Sequence, residues 1–202
     1  EFTLTCIRAR TGDEDDSGII RITASDEDAF DLDISANEIS LSKNGSFSSW
    51  FKGFESISAE LVLSYSPEAI EVKSAAEGRV SECFSNSAEV ELTASSGSSL
   101  RINGDNSRIT YLEVDVSSGA KIDIKAPMNV TSAKVEASSG GQIGFANEVE
   151  INRASVRISS GGSAEMCGAM SVEGRVSSGG NIDLPEEAER NALKTSSGGE
   201  VD

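Results

Sequence analysis

A chain of 202 residues with only 37% apolar residues, 17 basic side chains against 34 acidic ones and a net charge of −17 has the wrong sign for nucleic acid or an anionic lipid surface. No stretch approaches the roughly 18 apolar residues of a membrane span, and the absence of histidine removes the commonest general base. Low hydrophobicity with high net charge is also the composition of disorder, which only a regular pattern along the chain can oppose.

The chain opens Glu1-Phe2-Thr3 rather than with Met, which suits a processed form and favours export. Phe2, Leu4 and Cys6 alternate with Glu1, Thr3 and Thr5 as a strand with one apolar face does. Asp13-Glu14-Asp15-Asp16-Ser17-Gly18 begins like a calcium loop, but the twelfth position is Ala24 rather than Glu, and a strand follows. A solvated acidic loop is the better reading, with Ca2+ the minor alternative and no other cofactor expected.

Ile19 to Thr23 and Phe30 to Ile34 alternate like strands, and Ile39-Ser40-Leu41 adds a third. The period then changes. Phe47, Trp50, Phe51 and Phe54 fall at i, i+3, i+4 and i+7, one face of a short helix capped by Ser46 after the Asn44-Gly45 turn. This cluster is expected to lid the N-terminal end of the domain that follows, the alternative being an exposed platform for a sugar or protein partner. Residues 1–57 thus read as N-terminal strands plus an aromatic cap, and 58–202 as a repeat domain.

Within the repeat domain the triplet Ser-Ser-Gly ends at Gly97, Gly119, Gly140, Gly161, Gly179 and Gly198, at intervals of 22, 21, 21, 18 and 19 residues. A degenerate copy, Ala75-Ala76-Glu77, lies 20 residues before Gly97 and makes a seventh corner. The flanks alternate. Leu100, Ile122, Ile143, Ala164, Ile182 and Val201 follow the six Gly by three residues, and Val80 follows the degenerate corner likewise. Ala94, Val116, Ala137, Ile158, Val176 and Thr195 precede the six Gly by three, and Leu92, Val114, Val135, Val156, Gly174 and Leu193 by five. Such strands cannot bury their faces singly, whereas rungs stacked about 4.8 Å apart bury all of them.

The fold class is therefore all-β: a single-stranded parallel β-helix or solenoid of about seven rungs of roughly 20 residues, the crossover rule favouring a right-handed one. Ile143 and Val156 are predicted to be buried, and Asp123 and Arg157 exposed. The second serines of the corners, Ser96 to Ser197, share the parity of the inward column and are expected to form a structural hydroxyl ladder.

The stretch Glu60 to Val80, with Tyr65-Ser66-Pro67 closing a strand and Ile70 and Val72 opening the next, followed by the Ser-Ser-Gly rungs, resembles the GIN domain, the auto-transporter adhesin head family (DUF2807), over roughly residues 58–202. That resemblance implies an exported cell-surface β-solenoid with an adhesive or scaffolding role, and it brings no catalytic residues.

Chemistry is sparse. The outward column four residues before each Gly reads Thr93, Asp115, Glu136, Arg157, Arg175, Lys194, from acidic to basic. Charge management between rungs explains it, with a carbohydrate groove or lyase as the alternative. Asn44-Gly45-Ser46 and Asn129-Val130-Thr131 are glycosylation sequons. The cysteines Cys6, Cys83 and Cys167 form no evident disulfide framework, and Cys83 and Cys167, counted to the same column four rungs apart, are expected not to bond.

The expected function is a non-catalytic, exported structural or adhesive module at the cell surface, in the periplasm or outside the cell, with itself or a surface carbohydrate as partner. The alternative is a carbohydrate-binding or polysaccharide-cleaving β-helix. No catalytic or metal residue is assigned. The residues expected to make contacts are Phe2 and Leu4, as a strand completing the last rung of a neighbouring copy, and Phe47, Trp50, Phe51 and Phe54.

Overall fold

The computed structural model describes residues 2–6, 19–23, 30–34, 39–43 and 58–63, and residues 67–202 apart from 74, 75, 82, 85, 105 and 126. The first five segments are strands: β1 (Phe2–Cys6), β2 (Ile19–Thr23), β3 (Phe30–Ile34), β4 (Ile39–Lys43) and β5 (Ser58–Leu63). Then follow β6 (Ala69–Val72), β7 (Glu77–Ser81), β8 (Asn86–Ala94), β9 (Ser99–Asn103), β10 (Ser107–Val116), β11 (Lys121–Ile124) and β12 (Met128–Ala137). The chain ends with β13 (Gln142–Phe145), β14 (Val149–Ile158), β15 (Ser163–Met166), β16 (Val172–Ser177), β17 (Asn181–Asp183), β18 (Leu193–Ser196) and β19 (Glu200–Val201). No helix occurs among the described residues. The expected helix at 47–54 lies outside them.

From β6 onward the chain alternates between two sheets. The first contains β7, β9, β11, β13, β15, β17 and β19, and the second contains β6, β8, β10, β12, β14, β16 and β18. Every neighbouring pair in these runs is parallel, as in Ile122↔Ile143 and Val114↔Val135. Each circuit of about 21 residues climbs one level, and six circuits give seven levels. This is the parallel β-solenoid that the repeat demands.

The corner turn is where sequence becomes geometry. Ser96 and Gly97 have φ of 56° and 71°, and each later Ser-Gly pair repeats this. Two successive positive φ values are the signature of a type I′ turn, in which glycine sits without penalty and serine does not. The turn closes through Ala120 N–H donating to the Ser117 carbonyl at 3.1 Å, and likewise at the other corners. The central glycine N–H then donates to the next level: Gly97 to Ser118 O at 3.0 Å and Gly119 to Ser139 O at 3.0 Å. Corners therefore stack on corners, and the register of both sheets is fixed by the same ladder.

The core has more walls than the two expected. The expected columns are present: Ile143 and Val156 are each 3% exposed, and Ile122 is fully buried. In β10, β12 and β14 the inward and outward positions also change phase, because Thr110-Tyr111, Thr131-Ser132 and Asn152-Arg153 are consecutive non-buried residues. The strand bends there, and Ile109, Val130 and Ile151 line a further wall. The bend has no Gly or Pro to announce it, so periodicity alone misses it.

Three expectations need correction. The second serines of the corners are exposed, because the left-handed φ turns their side chains away from the inward column. The degenerate corner is offset by two residues: Glu77 pairs with Ser99 and Val80 with Ile102, so Val80 does not align with Leu100. A shift of two leaves strand faces unchanged, which is why Val80 is still fully buried. The offset also moves Cys83 out of the column of Cys167, which continues the row of Ser81 and Asn103.

The third correction concerns β1. It lies between β5 and β7, parallel to both, with Leu4 opposite Leu61 on one side and Val80 on the other. Both its edges are paired within its own sheet, so it is not free to complete a neighbour's last rung. The sheet then ends on β2, which is antiparallel to β5. Cys167 is free and Cys83 is disulfide-bonded. The pairing of Thr5 with Ser81 brings the backbones of β1 and β7 side by side. The expectation of no framework thus gives way to a disulfide at Cys83.

Two measurements test this. Thiol titration of the unfolded, unreduced chain is expected to find fewer than three reactive thiols, and peptide mapping to place Cys83 in a disulfide-linked peptide; three thiols would contradict the disulfide. Gly97→Ala is expected to cost about 1–2 kcal/mol from φ strain alone, since its Cβ would meet nothing within 4 Å. Gly174→Ala is expected to cost more in chemical denaturation, because a Cβ there would lie 2.0 Å from the Val156 carbonyl oxygen.

Candidate functional site

The outer face of the second sheet is the best-formed surface feature. Register places Glu71, Thr93, Asp115, Glu136, Arg157, Arg175 and Lys194 in one column, one side chain per level. A neighbouring column carries Glu91, Glu113, Lys134, Ser155 and Glu173. The columns exist because β-strands place alternate residues on one face and the corners hold each level in register.

The lower half of the face is acidic and partly self-neutralised. Lys134 Nζ donates to Glu113 Oε1 at 2.7 Å and lies 3.6 Å from Glu136 Oε1, while Arg157 Nε reaches the same oxygen at 3.7 Å. The hydrogen bond it donates to Glu113 holds the Lys134 ammonium above its usual range. Burial pushes the Asp115 carboxyl up, Glu136 and Glu113 push it further, and Lys134 opposes them. Burial also raises the Tyr111 phenol, helped by Glu113. The upper half, with Arg157, Arg175 and Lys194 exposed on successive levels, is basic.

Beside these columns, the bend in β10, β12 and β14 forms a shallow groove of ≈ 260 Å³ lined by Arg108, Thr110, Asn129, Thr131 and Asn152 among others. Hydroxyls, amides and one guanidinium are groups that bind sugar hydroxyls or anions. On the first sheet, Asp123 is less exposed than expected, at 16% for its side chain. Lys121 Nζ contacts its Oδ2 at 3.1 Å, and its Oδ1 fills the space where Gly144 has no side chain.

Sequence reasoning found the charged column and missed the groove, which depends on the bend. Of the expected contact residues, Phe2 and Leu4 sit in β1 within the first sheet. Phe47, Trp50, Phe51 and Phe54 lie outside the described residues, as do Asp13 to Gly18 and Asn44 to Ser46. Asn129 of the second sequon is exposed at the groove. Burial, followed by a hydrogen bond to Glu165, pushes the Cys167 thiol up, so it is a poor nucleophile. Among the described residues no group of three acidic, Cys or His side chains is placed to hold a metal, and no helix is long and apolar enough to cross a membrane. Comparison with family models, curated proteins and solved structures finds no match.

A carboxyl with a raised value takes up protons on folding, so Asp115 costs stability above the ordinary carboxylate range and none below it. Asp115→Asn is expected to raise the melting temperature at about pH 7 and to leave it unchanged near pH 3. No gain at neutral pH would contradict this account of the column.

Proposed function

We propose that the chain is a non-catalytic, exported structural or adhesive surface module that acts by presenting columns of side chains along a rigid acidic β-solenoid. The single observation that carries this reading is the unbroken register of the second sheet, which spaces outward groups one per level across seven levels. Such a surface is preorganised for multivalent contact, since its side chains stand on a scaffold that need not be ordered on binding.

Two further observations support it. The disulfide at Cys83 suits an oxidising compartment, hence export. The chain has no histidine, and its free thiol is disfavoured as a thiolate, which removes the commonest activating base and, among the described residues, the one free thiol nucleophile. The resemblance of residues 58–202 to the GIN domain points the same way.

The groove at Arg108, Asn129 and Asn152 favours a second reading, a carbohydrate-binding or polysaccharide-cleaving β-helix. Beads coated with the folded chain and passed over immobilised cell surfaces and polysaccharides separate the two. Retention of the beads without release of reducing ends or unsaturated sugars is the expected result. Catalytic product release would replace the structural reading with the enzymatic one.

A further inference from the structure

The upper half of the charged column holds an arrangement that costs free energy. Arg157, Arg175 and Lys194 are direct register neighbours on β14, β16 and β18. Like charges directly opposite one another on adjacent strands are destabilising. The cost is notable in a chain with twice as many acidic as basic residues, 34 against 17, where a carboxylate is the readier neighbour. The lower half shows the remedy, with Lys134 inserted between Glu113 and Glu136. The upper half lacks it. Arg157 is 78% exposed and has only the 3.7 Å contact to Glu136, while Arg175 donates to Ser196 Oγ at 3.1 Å. Among the described residues neither Arg175 nor Lys194 has a carboxylate within 4.0 Å.

We propose that Arg157, Arg175 and Lys194 form a binding column for a linear anionic polysaccharide, carboxylated or sulfated, running along the solenoid axis. Three cations about 4.8 Å apart make a ladder that matches a polymer with repeating anionic groups better than a single small anion. Ser155, Asn152 and Ser196 stand beside them on the same strands and supply donors and acceptors for sugar hydroxyls. Arg153 extends the positive potential toward the bend. Glu173, two residues before Arg175, is the one acidic side chain on the face of β16. At physiological salt the screening length is about 8 Å, so the acidic lower levels weigh on this ladder far less than its own charges do.

Nucleic acid is the less suitable polyanion. Its charge density, about one per 1.7 Å of duplex, far exceeds the one cation per level, about 4.8 Å, that this ladder offers, so most phosphates would stay unpaired. The outer faces of β16 and β18 also carry no aromatic side chain on which a base could stack.

The inference rests on the adhesive reading and names its partner. The test is binding of the intact chain to polygalacturonate, heparin, neutral dextran and single-stranded DNA at about 0.15 M salt. It is repeated with R157Q/R175Q/K194Q, with the single variant R175Q, and with R101Q/K121Q/K125Q. The last removes the same charge from the other sheet. The expected result is binding to one or both anionic polysaccharides and not to dextran, weakened about tenfold by the first triple variant, partly by R175Q, and little by the control.

No binding to either polysaccharide, equal loss in both triple variants, or tighter binding to DNA would overturn the proposal. Coated beads assayed in parallel keep the two readings apart. Beads that still adhere to cell surfaces when polysaccharide binding is absent remove this ligand and leave adhesion standing, whereas loss of both removes both.

Discussion

The corner turn sets everything else in this molecule. At each Ser-Ser-Gly the second serine and the glycine both take positive φ, and at every corner but the last the glycine N–H is donated to the corner of the next level. That one bond does two things. It satisfies a backbone group that would otherwise face solvent at an exposed turn, and it fixes the height and phase at which the chain enters the next strand. Serine in this conformation is strained, and the structure accepts that cost repeatedly. The compensation is collective: every level locked in register buries a complete set of apolar side chains against the levels above and below.

Register then determines the surface. A parallel stack repeats the outward face level by level, so residues some 21 apart in sequence become neighbours in a column. In an acid-rich chain this creates repulsion, and the lower levels of the second sheet answer it by placing Lys134 among Glu113, Asp115 and Glu136. The upper levels reverse sign instead. Surface chemistry on such a scaffold is read along columns rather than along the chain, and the polarity of this column is its most specific feature.

Much of this was legible in the sequence because the repeat is strict where the structure is strict. The Gly spacing and the flanking Val, Ile and Leu positions identified the solenoid and its buried columns. The degenerate corner at Ala75-Ala76-Glu77 was placed two residues off because it lacks the glycine that marks the turn; parity survived, so the buried set did too. The bend at Thr110-Tyr111 left only a change of phase that no breaker residue marks, and the groove went unseen with it. The place of β1 was hidden for a different reason. Its partners β5 and β7 are more than 50 residues away, and an alternating strand does not say which edge it will join.

Hydrogen exchange at the corner glycines tests the central claim most directly. Gly119, Gly140 and Gly161 lie in surface turns, where an amide without a partner exchanges quickly. If their N–H groups are donated from level to level, they are expected to exchange as slowly as the amides of the buried strands and to be released with them in one cooperative step. Exchange at the rate of an open loop, with the strands still protected, would show that the corners do not hold the stack in register.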